Sequence, residues 1–359
     1  MPTFLDEQPA TDIETDAEGI LRVNPMRDPS WDANIALIPA ATFFHTSAWA
    51  SVLSTSFGLE PCYFIIEHQD GGRSILPMME VDSWLTGRRG TSLPFTDECV
   101  PLVKDFAAFA ALFHAAVQFG NVRRWHHLEI RGGADLTREY QPSVRFLGHT
   151  LNLIGNTPFA NVAASVKQAV RKARRSGIIA ESSVGERAMK EFYSLMCKTR
   201  QRHGLPPQPF RFFKAINEQI ISRGKGLLML ARHGGRPVAG ALFLIHGRKA
   251  IFKFGASDSG VQALRPNNLV MWNAISRLSQ EGVESLDMGR TTVSNEGLRR
   301  FKLSWGARER EIEYFRFDLK NNSVVSTRDM SSGVHCRIFR ALPLTISRAI
   351  GTLLYKHAA

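Results

Sequence analysis

An aspartate, an arginine, a lysine and a tryptophan crowd into one short run of this chain, LDMGRTTVSNEGLRRFKLSWGARE, from Leu286 to Glu309. A loop that only reversed the chain would need a glycine and a polar residue or two. Here an apolar strand ends in an acid, Asp287, and a guanidinium, Arg290, on either side of a turn at Gly289. Asp287 can take a proton or hold an amine, and Arg290 can grip a phosphate through paired hydrogen bonds; the alternative is that the two pair with each other and shape the turn. Glu296, Arg299 and Arg300 read as solvent-facing. Lys302 falls between Phe301 and Leu303 in a half-buried segment, and Trp305 suits either the core or a pocket wall.

Such a set offers a proton acceptor and cations able to hold a phosphate or a developing negative charge. There is no G-x-S-x-G elbow and no Ser-His-Asp order, so direct attack is expected rather than a covalent serine intermediate. His126 and His127 sit in strand-like context with no third ligand at metal spacing, and no metal is expected. Cys62, Cys99, Cys197 and Cys336 form no CxxC pair, which fits a reducing compartment better than a disulfide framework.

Lysine and arginine total 45 against 33 acids, a formal charge of +12 that attracts phosphates, acidic glycans or an anionic membrane face. Part of the excess is concentrated. In NVAASVKQAVRKARRSG, Val166, Val170 and Ala173 share one helical stripe, while Lys167, Arg171, Arg174 and Arg175 form another that either tracks a polyanion such as tRNA or is a solvated face. The tail RIFRALPLTISRAIGTLLYKH puts Ile346, Ile350, Leu353 and Leu354 on one helical face near Arg337, Arg340, Arg348 and Lys356, fit for an anionic membrane or for the protein's own core.

The elements that must position these groups follow from pattern. At 359 residues two domains are expected. Residues 1–30 read as a loosely ordered leader without the apolar core of a signal peptide. The first module then covers 31–155, with a helix ending at Gly58, a hairpin turning at Gln69–Gly72, a helix over 104–119, the strand WHHLEIRG and a closing strand VRFLGHTLNLI. A second module, 156–318, has three helices, an antiparallel meander (GLLMLAR, PVAGALFLIH, KAIFKFGAS), a turn LRPNN, a helix, the strand VESLDMG, a short helix and a last strand REREIEYFRFDL. Residues 319–330 are available to complete the first module, and 331–359 form the basic amphipathic tail.

That order resembles the GNAT N-acyltransferase fold, present fully in the second half and more thinly in the first. The expected class is therefore α/β (α+β), two tandem GNAT-like modules with mixed, mostly antiparallel sheets flanked by helices. The run GASDSGVQALRPNNLVMWNAISRLSQEGVESLDMGRTTVSNEGLRRFKLSWGA resembles the signature of FemAB/FemX-like transferases and the neighbouring BioF2-like acetyltransferase domain. SLPFTDECVPL resembles the first-module loop of exopolysaccharide-associated members, and SVKQAVRKARRSGI the basic helix that opens their second module. The resemblance spans roughly residues 40–320.

It implies a cytoplasmic transferase, with peripheral membrane contact as an option, that moves an acyl or aminoacyl group onto an amine of an envelope precursor or exopolysaccharide. GNAT relatives use acyl-coenzyme A; Fem-type members use aminoacyl-tRNA and a peptidoglycan precursor. In the GNAT layout the donor enters where KAIFKFGAS parts from VESLDMG, with backbone N–H groups near Gly255 and Ala256 facing its carbonyl. Its phosphates meet Arg265, Asn267, Asn268 and Arg290, although the usual pyrophosphate glycines are missing from LRPNNLV. Lys302 matches the lysine of the Fem-like FK motif, which implies catalytic duty beside Asp287. Phe95, Thr96 and Asp97, with Trp305, are the expected acceptor side. A reading from outside the enzymes, a non-catalytic binder of nucleic acid or glycan, would rest on Arg171 and Arg174 and leave Lys302 and Asp287 dispensable.

Overall fold

The computed structural model describes residues 14–15, 19–137, 140–155, 159–326 and 334–357. The first half runs β1 (Glu14–Thr15), β2 (Leu21–Val23), α1 (Trp31–Ala36), α2 (Ser47–Phe57), β3 (Glu60–Pro61), β4 (Tyr63–Glu67), β5 (Arg73–Leu76), β6 (Met79–Ser83), β7 (Gly87–Thr91), α3 (Phe106–Val122), β8 (His127–Arg131) and β9 (Val144–Asn152). The second half runs α4 (Ala164–Arg175), β10 (Ile179–Ser182), α5 (Glu186–Arg202), α6 (Phe210–Gln219), β11 (Gly226–His233), β12 (Arg236–His246), β13 (Lys249–Ser257), α7 (Pro266–Gln280), β14 (Ser285–Thr292), α8 (Glu296–Ser304), β15 (Arg308–Asp318), β16 (Ser323–Val324), α9 (Val334–Ala341) and α10 (Leu344–Leu354).

Local chemistry explains most boundaries. Asp105 caps α3 by accepting the Ala108 N–H at 2.8 Å, and α2 stops where Gly58 takes a left-handed φ of 65°. The Gln69–Gly72 turn closes the β4–β5 hairpin as expected, with the His68 N–H donating to Gly72 O at 2.8 Å.

Two features depart from the sequence reading. Residues 20–30 are not a loose leader: β2 pairs with β4, and Ile20 and Val23 are buried. Leader residues 1–13 and 16–18 lie outside the described residues. The second departure is β7, whose sequence GRRGT has no strand signature because its interior is cut to fit Trp125. A Cβ on Gly90 would lie 2.2 Å from that indole.

Strands order as β10-β11-β12-β13-β14-β9-β15-β8-β7-β6-β3 in one large sheet, and as β1-β2-β4-β5 in a small one. The closing strands are exchanged between halves. β9 leaves the first half to pair with β14, and β15 returns to pair with β9 and β8. A cut at 155/156 or at 318/319 would therefore divide strands that share a ladder. The core is equally shared, since α2, α5 and α6 bury Trp49, Phe57, Phe192, Phe212 and Phe213 in one cluster that includes Leu242 and Leu244 of β12.

Candidate active site

Among the described residues each half holds one parallel strand pair, and the two are treated differently. β7 and β8 pair in parallel over three positions, and the gap beyond them is filled by the loop after β7. There the Ser92 N–H donates to Glu129 O at 2.7 Å, and the Arg131 N–H donates to Ser92 Oγ at 2.8 Å. The Arg131 guanidinium reaches Leu93 O and Thr96 O at 3.4 and 3.3 Å.

In the second half β13 and β14 also pair in parallel over three positions, Lys249–Ser285, Ala250–Leu286 and Ile251–Asp287, and then separate. β14 turns toward β9, shifting register between Asp287 and Arg290, while β13 stays with β12. Between them opens a cavity of about 530 Å³. The Asp258 N–H donates toward β12, to Val238 O, and the Ser257 N–H donates away from it, to Thr199 Oγ1 at 3.0 Å. Antiparallel alternation then aims the Gly255 N–H into the cavity and the Ala256 N–H at β12. Both residues line the space, but only Gly255 offers it a backbone donor.

The cavity is predominantly cationic. Arg202, Lys253, Arg290 and Lys302 line it together with His203, and Asp97 is the single carboxylate among the lining residues. Burial, with Arg202 and other arginines nearby, holds His203 below its ordinary value, so it meets a ligand neutral at pH 7.

Lys253 is placed by a β-bulge. Leu242 and Phe243 of β12 face Phe254 and Phe252, leaving Lys253 as the extra residue of β13. Such bulges re-aim side chains. Its ammonium sits over Phe44 and Phe254, 5.3 Å from each ring centre, and donates to Asp97 Oδ2 at 3.1 Å. Burial pulls the Lys253 pKa down and Asp97 opposes it.

Asp97 arrives on the loop that fills the first gap, and that loop is strained. Leu93 and Phe95 hold φ of 55° and 61°, a conformation that costs about 1–2 kcal/mol for a non-glycine residue. Thr96 Oγ1 clamps it by donating to Leu93 O at 2.7 Å, and Tyr314 Oη donates to Asp97 O at 2.5 Å. Burial raises the Asp97 carboxyl, but the Lys253 and Arg290 cations outweigh it and hold the pKa below the ordinary value. Arg290 Nε is 4.0 Å from Asp97 Oδ1. Its guanidinium lies 4.2 Å over Phe146 and donates to Tyr314 Oη at 3.0 Å.

Lys302 is 2% exposed at the last turn of α8, a helix capped by Asn295. Its ammonium donates to Gly289 O at 2.6 Å and Arg290 O at 3.2 Å, which leaves a third N–H for a ligand. Burial lowers its pKa to about 8, against the pull of Asp97 and Asp287. Asp287 does not line the cavity. Its carboxylate accepts the Gly289 N–H at 2.7 Å and stiffens the turn where Gly289 takes a φ of 72°; burial lifts its pKa to about 6. This corrects the expectation that Asp287 faces the reactants.

A stability test follows from that shift. The unfolded carboxyl ionises near 3.8, so between about pH 4 and 6 the fold binds a proton that the unfolded chain has lost, and stability falls as pH rises. Asp287→Asn keeps an oxygen for Gly289. It is expected to unfold at higher temperature than wild type at pH 8, by an amount worth roughly 1–2 kcal/mol after allowing for solvent screening at its partly buried position, with the gap closing near pH 4. Thermal denaturation across pH is the measurement, and a lower melting temperature for Asn at pH 8 would count against this role.

Other expected residues scatter. Asn267 lines the cavity and donates to Ser257 Oγ at 3.2 Å. Arg265, at φ 63° before α7, and Asn268 instead line a neighbouring hollow of about 460 Å³ with Lys172. Of the proposed acceptor set only Asp97 is on the cavity: Phe95 packs against Phe57, Phe212 and Tyr355, and Thr96 is the clamp. Trp305, at the C-terminal end of α8, is fully buried against Trp272 of α7 and Phe301. On α4, Val166, Val170 and Ala173 are buried while Lys167, Arg171, Arg174 and Arg175 are exposed, and Arg171 and Arg175 edge a shallow hollow with Lys172. Among the described residues, no group of three or more His, Cys, Asp or Glu side chains could hold a metal ion.

Residues 160–303 match the family described as "Acetyltransferase (GNAT) domain". In fold the chain is similar to the crystal structure of FemX, with a TM-score of 0.64 at 14% identity over 79% of this chain and 94% of that one. A tandem GNAT protein from the clavulanic acid biosynthesis pathway gives 0.54 at 9% identity, covering 84% and 98%. The structure of L-PGS from Bacillus licheniformis gives 0.53 at 11%, covering 93% and 97%. No curated protein sequence matches.

Proposed function

We propose that this chain, which carries a GNAT acetyltransferase domain and folds as a tandem GNAT protein, is an N-acyltransferase taking its acyl group from acyl-coenzyme A. The acceptor is an amine on a cell-envelope or exopolysaccharide-related molecule. The single observation that carries this reading is the parting of β13 from β14 after Ile251 and Asp287, beside buried Lys302.

The thioester carbonyl lodges between the strands with its oxygen toward the Gly255 N–H and the free Lys302 proton. Preorganised donors of this kind contribute roughly 3–4 kcal/mol to lowering such a barrier. The amine comes from the Asp97 side, where the ionised carboxylate orients its N–H. Nitrogen attacks the carbonyl carbon, the C–S bond breaks, and the proton lost by nitrogen ends on the departing thiolate. The α7 N-terminus with Arg265 and Asn268, beside Lys172, is a seat for the donor's phosphates. Asn267 supports the loop at Ser257.

A second reading, aminoacyl-tRNA as donor, is favoured by the exposed cations of α4, which suit a longer polyanion. Retention assays with labelled acyl-coenzyme A and with charged tRNA separate the two. Binding of acyl-coenzyme A alone is expected, and binding of charged tRNA alone would reverse the assignment of the donor.

A further inference from the structure

Helix α10 is seated the wrong way round for a helix that only packs on its own protein. Its small residues face inward: Ser347 and Gly351 are buried, and a Cβ on Gly351 would stand 2.1 Å from Pro207 O. The chain on either side of it is tied down firmly. Arg200 donates to Tyr355 Oη at 2.6 Å, Tyr355 Oη donates to Pro206 O at 3.2 Å, and Gln201 donates to Leu342 O at 2.7 Å. With the small face used for docking, Leu344 packs against the core and Ile350 is half-buried, but the other large apolar side chains are left outside. Ile346 and Leu354 are exposed, Leu353 is 71% exposed, and Ile338 of α9 is exposed as well. A surface helix ordinarily buries that set.

A second, distant segment meets this one. Ser83 Oγ lies 2.8 Å from His357 Nδ1, while Thr86 Oγ1 and Arg89 donate to His357 O at 3.1 and 3.0 Å, so the end of the tail is pinned to the β6–β7 turn. That turn carries Trp84, 86% exposed and 5.3 Å from the His357 ring, followed by exposed Leu85. Trp84, Leu85, Leu353 and Leu354 thus belong to one corner of the molecule, although nearly 270 residues separate the two segments.

We propose that this corner is a membrane-docking surface, lying on an anionic lipid bilayer with Trp84 and the α10 leucines at the headgroup boundary. Charge selects this occupant. Arg340, Arg348 and Lys356 accompany the apolar side chains, and residues 334–357 contain no acid. A second copy of the chain would set those cations against their equals, whereas a phosphatidylglycerol surface complements them and accepts the indole and leucines. The placement also bears on the cavity. In α5, Arg200 and Gln201 hold the tail while Thr199, Arg202 and His203 line the cavity on the next faces. The docked face and the cavity are therefore separated by α10 and α5, two helices each about 10 Å across. The proposal stands on this geometry and does not depend on acyl transfer.

The test is co-sedimentation of the full chain with phosphatidylcholine vesicles, with and without phosphatidylglycerol. Binding to the phosphatidylglycerol vesicles alone is expected, weakening as salt rises. Leu353→Asp and Trp84→Ala change exposed side chains and should leave the melting temperature in place while lowering partition at least tenfold each. Three results would overturn the proposal: no binding to either vesicle; full binding by both variants with loss on Arg171→Glu/Arg174→Glu, which would move the contact to α4; or a concentration-dependent dimer of wild type that Leu353→Asp abolishes.

Discussion

Lys302→Met is expected to lower kcat/KM by roughly 10²–10³, the size of effect seen when one preorganised donor to a developing oxyanion is lost. The side chain is buried, holds the carbonyls of Gly289 and Arg290, and has one proton left over for the reactants. Removing it also strands two carbonyls at a cost of about 1–3 kcal/mol in stability, so rates must be compared well below the melting temperature. pH supplies an independent readout. Burial sets the lysine near 8, so the cation is present below that pH and lost above it, and the wild-type rate is expected to fall on an alkaline limb centred near 8. A flat profile between pH 7 and 9, or near-wild-type turnover in Lys302→Met, would remove Lys302 from the chemistry.

The second large effect concerns stability first and activity second. Asp97→Ala leaves the Lys253 ammonium buried without its partner, a situation that costs about 3–5 kcal/mol. The double variant Asp97→Ala/Lys253→Met replaces the pair by apolar groups and is expected to regain most of that loss. Its activity should stay roughly 10²-fold or more below wild type, because the carboxylate proposed to orient the amine is gone. Denaturant melts and steady-state kinetics on the same three proteins decide it. If stability and activity recover together in the double variant, Asp97 only neutralises Lys253 and has no part in holding the acceptor.

How far the site was legible in sequence depended on whether local pattern or tertiary pairing set each residue. The meander, α7, α8 and the start of β14 could be read because apolar periodicity, Pro266 and glycine turns are local signals, whereas the expected stop at Gly289 is a register shift after which β14 continues to Thr292. Lys302 stood out as a lysine inside an apolar pair. Lys253 was missed because a bulge depends on the partner strand, and KAIFKFGAS reads as an ordinary strand without it. Arg202 and His203 looked like a helix end, and nothing in α5 announces that β13 parts from β14 beside them. The exchange of β9 and β15 was invisible for the same reason, since each half taken alone contains a plausible closing strand. The residues misassigned to reactants, Asp287, Phe95, Thr96 and Trp305, have suitable chemistry but point elsewhere: Asp287 faces the Gly289 N–H it accepts, Thr96 clamps its own loop, and Phe95 and Trp305 pack among other aromatic rings.

The central claim is that an activated carbonyl sits between β13 and β14. The most direct measurement is a crystal structure with a non-hydrolysable acyl-coenzyme A analogue. The expected result places the acyl oxygen about 3 Å from the Gly255 nitrogen, with Lys302 beside it. Analogue bound elsewhere, or β13 and β14 hydrogen-bonded to one another past Ile251 and Asp287, would contradict it.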